Sequence, residues 1–140
     1  MLLANSQTPY LLNGSKNGKH ALVISQDTGS VNYIPINKSE DRDGIQFTYG
    51  FWFLVEGFDY KKGEWKHIFH KGNDSINMTS EPKGLNFPNN APGLYLAPNT
   101  NSIIVIMNTL KNITEEITID NIPIKKWVNI IIRNNGNILD

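Results

Sequence analysis

The chain has no cysteine, which excludes a disulfide framework, a thiolate metal site and a cysteine nucleophile together. It has no excess of either charge, since thirteen basic side chains balance thirteen acidic ones. The positive field that drives sequence-independent phosphate binding is therefore missing, and nucleic acid is not an expected partner. The basic pairs Lys61-Lys62 and Lys125-Lys126 read as solvated charges at strand ends or turns. Long apolar runs are lacking too: Met1-Leu2-Leu3-Ala4 gives way at once to polar residues, too short a run for a signal-peptide core or a membrane span. This predicts a soluble chain with no export signal and no membrane segment. Two catalytic signatures are absent as well, the Gly-x-Ser-x-Gly elbow of serine hydrolases and the glycine-rich loop that cradles phosphates.

What is present points to β-structure. Apolar residues occur in short runs or in strict alternation, broken about every ten residues by Gly, Pro and Asn, and no helical period persists. With 140 residues there is room for one domain and no second. Strands are expected at Tyr10 to Leu12, Ala21 to Ser25, Val31 to Ile36, Ile45 to Glu56, Trp65 to Lys71, Gly93 to Ala97, Ser102 to Asn108, Glu116 to Ile119, Lys126 to Arg133 and Ile138 to Asp140. The longest is the most informative: alternation assigns Phe47, Tyr49, Phe51, Phe53 and Val55 to a core face, and Thr48, Gly50, Trp52, Leu54 and Glu56 to a mixed one. Ile103 to Met107 and Val128 to Ile132 carry β-branched residues on both faces and read as central strands. Asn73 to Pro92 has three prolines and no apolar period, so it reads as a long loop and a candidate contact surface. The sequence is rich in Asn and Ile, and Lys outnumbers Arg eleven to two, a bias that AT-rich codons produce. The same Asn content creates five glycosylation sequons, at Asn13, Asn37, Asn73, Asn77 and Asn112.

Few groups promise chemistry. His67 and His70, three apart on one predicted strand, should point to opposite faces and share no metal unless a bulge intervenes. A glycosidase needs two carboxylates about 5 to 9 Å apart; the nearest approach is Glu116 and Asp120 on one side of a strand, near its opposite ends. Asp41-Arg42-Asp43-Gly44 resembles half of a calcium loop, which makes Asp41 and Asp43 candidate ligands for Ca2+, although an Asp-Gly turn would use the same residues. Trp52, Tyr60, Trp65 and Tyr95 lie near Asn-rich loops, the pairing of aromatic faces with amides that suits sugar recognition. Their competing role is area burial in a core.

Taken together, Gly44-Ile45-Gln46-Phe47-Thr48-Tyr49-Gly50-Phe51-Trp52, Trp65-Lys66-His67-Ile68-Phe69-His70-Lys71-Gly72, Pro92-Gly93-Leu94-Tyr95-Leu96 and Asn121-Ile122-Pro123-Ile124-Lys125-Lys126-Trp127 resemble the laminin-G-like branch of the concanavalin-A-like lectin and glucanase superfamily. The resemblance is to copies encoded by nucleocytoplasmic large DNA (giant) viruses, and it runs from Lys19 to Asp140, behind an N-terminal arm at residues 1–18. It implies an all-β, antiparallel two-sheet jelly-roll sandwich that relatives continue beyond Leu139-Asp140, so the C-terminus is expected to be incomplete. It also implies a non-catalytic binding or assembly module of a virion, with other virion proteins or glycans as partners and a sheet edge open to a neighbouring chain. The alternative it implies is a calcium-dependent glycan-binding lectin. The Glu-x-Asp-x-x-Glu type strand of the glucanase relatives is absent, so hydrolase activity is not expected.

Overall fold

A computed structural model describes residues 8–41, 44–136 and 138–140, with the backbone alone at Glu40 and Asp41. The described residues hold eight strands and no helix. They are β1 (Glu40–Asp41), β2 (Gly44–Leu54), β3 (Lys66–His70), β4 (Gly93–Leu96), β5 (Ser102–Met107), β6 (Glu115–Asp120), β7 (Trp127–Asn135) and β8 (Ile138–Leu139). Two antiparallel sheets result, ordered β1-β2-β7-β8 and β3-β4-β5-β6, the sheet make-up that a β-sandwich requires. By compactness the chain divides into two units, one formed by the residues up to Phe51 with Asn129–Asp140, the other by Trp52–Val128.

In the first unit β2 carries the expected alternation. Phe47, Tyr49 and Phe51 are half-buried, and Gln46, Thr48 and Gly50 are exposed. The phase is as the sequence predicts, but burial is partial where a fully buried face was expected. Ile132 and Asn134 of β7 are buried and Asn129, Ile131 and Arg133 exposed, the same two-faced pattern. Side-chain amides reinforce the pairing of β2 with β7: Asn129 Nδ2 donates to the Phe51 carbonyl at 3.1 Å and Asn134 Nδ2 to the Ile45 carbonyl at 2.6 Å.

The strands expected at Tyr10 to Leu12, Ala21 to Ser25 and Val31 to Ile36 do not form; one parallel bridge, Ser25 with Tyr33, stands in their place. Polar side chains have taken the ladder's partners. Asn32 Nδ2 donates to the Val23 carbonyl at 2.6 Å, Gln26 Nε2 donates to the Ile34 carbonyl at 2.9 Å, and Asp27 Oδ1 accepts from the Gly29 amide at 3.0 Å. Such local bonds offer the backbone an alternative to a sheet. Leu22, Val23 and Val31 stay exposed as a result.

In the second unit β4 and β5 are buried at every position, on both faces. Registers run Gly93 opposite Ile106 to Leu96 opposite Ile103, and Ser102 opposite Asp120 to Met107 opposite Glu115. One core cluster joins Leu85, Tyr95, Ala97, Ile104 and Ile106, with Trp65 packed against it. Leu85 comes from the long loop, whose other residues include the buried Asn86, Asn90 and Pro92. The loop expected as a contact surface therefore supplies a quarter of its residues to the interior, while half of them stay exposed. It is held there by glycine at Gly84, where φ is +87° and a Cβ would fall on the Trp65 carbonyl oxygen.

Candidate functional site

Four Asn side chains and one Tyr form a polar knot beneath β4. Tyr95 Oη donates to Asn90 Oδ1 at 2.6 Å and accepts from the Asn86 amide at 3.2 Å. Asn90 Nδ2 donates to the Asn86 carbonyl at 2.8 Å, and the Asn90 amide donates to Asn108 Oδ1 at 2.5 Å. Asn86 Nδ2 reaches the Asn89 carbonyl at 2.5 Å and Asn73 Oδ1 at 3.3 Å, while Asn86 Oδ1 is enclosed with no partner. Burial of the phenol pushes the Tyr95 pKa up to about 12, and the bond from the Asn86 amide pulls the other way. Each buried amide would otherwise face a desolvation cost, so the network specifies how the loop seats on the sheet.

This placement bears on two of the sequence-predicted ligand contacts and corrects that of Tyr95. Tyr95 is fully buried and bonded within the knot, and Trp65 is half-buried with its ring 6.1 Å from Tyr95 in an edge-to-face contact. The Tyr95 ring fills the core and offers no face to a ligand, while Trp65 gives part of its area to that core. Trp52 and Tyr60 do remain at the surface, 64% and 46% exposed. Trp52 lies on the open face of β2, and Trp127 of the neighbouring β7 is exposed too. The Tyr60 ring lies under the Lys61 ammonium, 5.9 Å from its centroid. Of the two candidate calcium ligands, Asp43 lies outside the described residues, as does the Asp41 side chain. Among the described residues no group of three His, Asp or Glu is placed to hold a metal ion.

Two open clefts lie in the second unit. The first, about 350 Å³, is bounded by Asn77, Ser80, Glu81, Pro82, Leu85 and Phe87. Its Asn77 is spent on its own turn, where Oδ1 accepts from the Ser80 amide and Nδ2 donates to the Ser80 carbonyl. The second, about 260 Å³, brings the turn after β2 (Phe58, Asp59, Lys62) against the β4–β5 turn (Pro98, Asn99, Thr100, Asn101). The Gly63 amide donates to the Pro98 carbonyl at 3.2 Å and ties the two turns together. Asn101 Nδ2 donates to the Ile122 carbonyl at 2.5 Å, and its Oδ1 is enclosed without a partner. Residues that carry carboxylate, ammonium, amide and hydroxyl groups thus line one cleft with Phe58, and Tyr60 belongs to the same turn. Of the four predicted aromatics, Tyr60 is the one whose turn helps to build this cleft. The Asn99-Thr100-Asn101 contribution was signalled in the sequence only by a polar triplet between two apolar runs.

Comparison of the chain with protein-family models, with curated proteins and with solved structures finds no match in any of the three. The geometry therefore carries the functional reading.

The carboxylates Glu116 and Asp120 sit four residues apart along β6, about 13 Å in an extended strand. That exceeds the separation either glycosidase mechanism uses. Asp120 Oδ1 instead accepts from the buried Ser102 hydroxyl at 2.7 Å, a structural bond.

The histidines were misjudged in the opposite direction. A register shift between His67 and Phe69 puts a bulge in β3, and both imidazoles emerge on one side. The rings meet at 4.7 Å, with His67 Nε2 and His70 Nδ1 2.6 Å apart, and His70 Nε2 lies 2.7 Å from the Asn73 carbonyl. Because a carbonyl only accepts, His70 carries its proton on Nε2 and presents a lone pair at Nδ1. His67 Nε2–H then donates to it. Desolvation of the His67 ring, and secondarily the charge of His70, lowers the His67 pKa to about 4.

Proposed function

We propose that the chain is a non-catalytic binding or assembly module of a giant-virus particle, with a laminin-G-like, concanavalin-A-like jelly roll as its scaffold. The observation that supports binding is the second cleft, which Asp59, Lys62, Asn99 and Thr100 line together with Phe58 on two turns tied to each other. Polar groups beside an aromatic residue match the hydroxyl-rich, flat-sided chemistry of a sugar. Glycans are thus the ligand class this reading favours. The test is a glycan-array screen of the purified chain, run once with calcium and once with chelator. Selective binding that Asp59→Ala and Asn99→Ala abolish is expected. Calcium dependence of that binding would add the lectin alternative and point to Asp41 and Asp43. Silence in both conditions would overturn the glycan reading.

The assembly reading rests on a separate observation. β6 pairs with β5 along one side and exposes all six of its residues, including Ile117 and Ile119, each 42% exposed. A strand with one free ladder invites a second chain by strand addition. Glu115, Glu116 and Asp120 set like charges against a second copy of β6, so the partner strand is a different, neutral or basic one. Purified virions that lack the protein would end this reading.

A further inference from the structure

We infer that His67 and His70 form a two-imidazole chelate for a divalent transition-metal cation of the copper, nickel or zinc class. Four features of the structure carry it. The bulge in β3 brings two side chains that strand periodicity would separate onto one side, so the convergence is built into the backbone. The facing atoms, His67 Nε2 and His70 Nδ1, are both sp² nitrogens that ligate metals, and they stand 2.6 Å apart. On a metal with bonds of about 2.0–2.1 Å, neighbouring nitrogens lie about 2.9–3.4 Å apart, so the rings must part by a few tenths of an ångström and each must turn its lone pair off the line of the shared hydrogen bond toward a common point. The third feature is the bond of His70 Nε2–H to the Asn73 carbonyl at 2.7 Å, the outer-shell contact that fixes tautomer and ring orientation in metal-ligating histidines. Finally, the Tyr95 ring packs against His67 with centroids 5.7 Å apart and limits its swing, while His67 keeps an exposed edge for a cation to approach.

The chemistry is a ligand exchange without redox change. The cation takes the place of the hydrogen that His67 Nε2 shares with His70 Nδ1, that hydrogen moves to His67 Nδ1, and water completes the coordination shell. Imidazole pairs select copper, nickel and zinc over calcium and magnesium, which prefer oxygen ligands. The site is distinct from the cleft between the Phe58 and Asn99 turns, and its test does not depend on the glycan reading.

The experiment is a calorimetric titration of the untagged chain with Ni2+ and with Cu2+, beside His67→Ala, His70→Ala and His20→Ala, each checked for folding by thermal melt. One cation per chain is expected for the parent and for His20→Ala. Either β3 variant should weaken binding by about tenfold or more, because the second ligand no longer acts at high effective concentration. Spin resonance of the Cu2+ complex of the parent should show two equatorial nitrogens, a readout that needs no variant to fold. Unchanged affinity in the folded β3 variants, loss with His20→Ala, or a single nitrogen in the spectrum would overturn the chelate.

Discussion

Strand β5 reads Ser-Ile-Ile-Val-Ile-Met and hides all six side chains, whereas β2 alternates half-buried aromatics with exposed Gln46, Thr48, Gly50 and Trp52. Both belong to four-stranded sheets, but β5 is paired on both sides along most of its length whereas β1 meets β2 only at Gly44 and Ile45. What also differs is whether one face or two can be apolar. A continuous β-branched run needs cover on both sides, and in the second unit the Leu85 and Trp65 side chains meet Ile104 and Ile106 to supply it on one of them. An alternating run needs cover on one side only. Between β5 and β2 burial depth therefore follows the pattern of the strand, although Ile131 in the β-branched run of β7 stays exposed, and the cost of cutting a side chain should follow burial depth.

Five measurements would break or sharpen that contrast. Ile106→Ala should cost about 2–5 kcal/mol in urea denaturation, because the residue is fully buried in the cluster. Phe51→Ala, half-buried in β2, should cost less than half of what a fully buried Phe does, about 1–2 kcal/mol. Equal losses would dissolve the distinction between the strands. Tyr95→Phe keeps the ring but strips the hydroxyl from the Asn86–Asn90 knot, for a loss of about 1–3 kcal/mol by the same assay. A neutral result would mean that the knot does not specify the seat of the loop.

The pH profile probes the same unit more gently. Between pH 4 and 6.5 the unfolded chain takes up a proton at His67 that the folded chain refuses. Stability should thus rise with pH across that window, and the melting temperature of His67→Gln should depend on pH less steeply than the parent's. Parallel profiles would show that the ring is not desolvated. The smallest effect belongs to the edge: Ile117→Thr on β6 should change stability by no more than about 0.5 kcal/mol. A larger loss would mean that β6 is covered in solution.

Much of the sheet framework was legible in the residue order. Seven of the eight strands lie within or close to segments marked out by alternation or β-branched runs, and the Gly50-Phe51-Trp52 phase was correct. Two of the failed strands, Ala21 to Ser25 and Val31 to Ile36, share one cause, since Asn32 and Gln26 bond to their backbone and composition cannot show which partner such groups choose. The site was far less legible. Tyr95 and Trp65 looked like surface aromatics because they stand beside Asn-rich loops, yet those same Asn residues turned inward and made a core of the loop. His67 and His70 looked divergent because period two holds only in an unbroken ladder.

By itself, the sequence determined an all-β chain, the positions of its main strands and which face of β2 turns inward, because side-chain period and turn residues act over a few neighbours. Only the tertiary structure decided that the Asn73 to Pro92 loop sends Leu85, Asn86, Asn90 and Pro92 into the interior, that a cleft forms between the Phe58 and Asn99 turns, and that two histidines converge. Each of these depends on register or on contacts between segments distant in the chain, where one bulge or one amide bond chooses between arrangements that local propensity leaves equal.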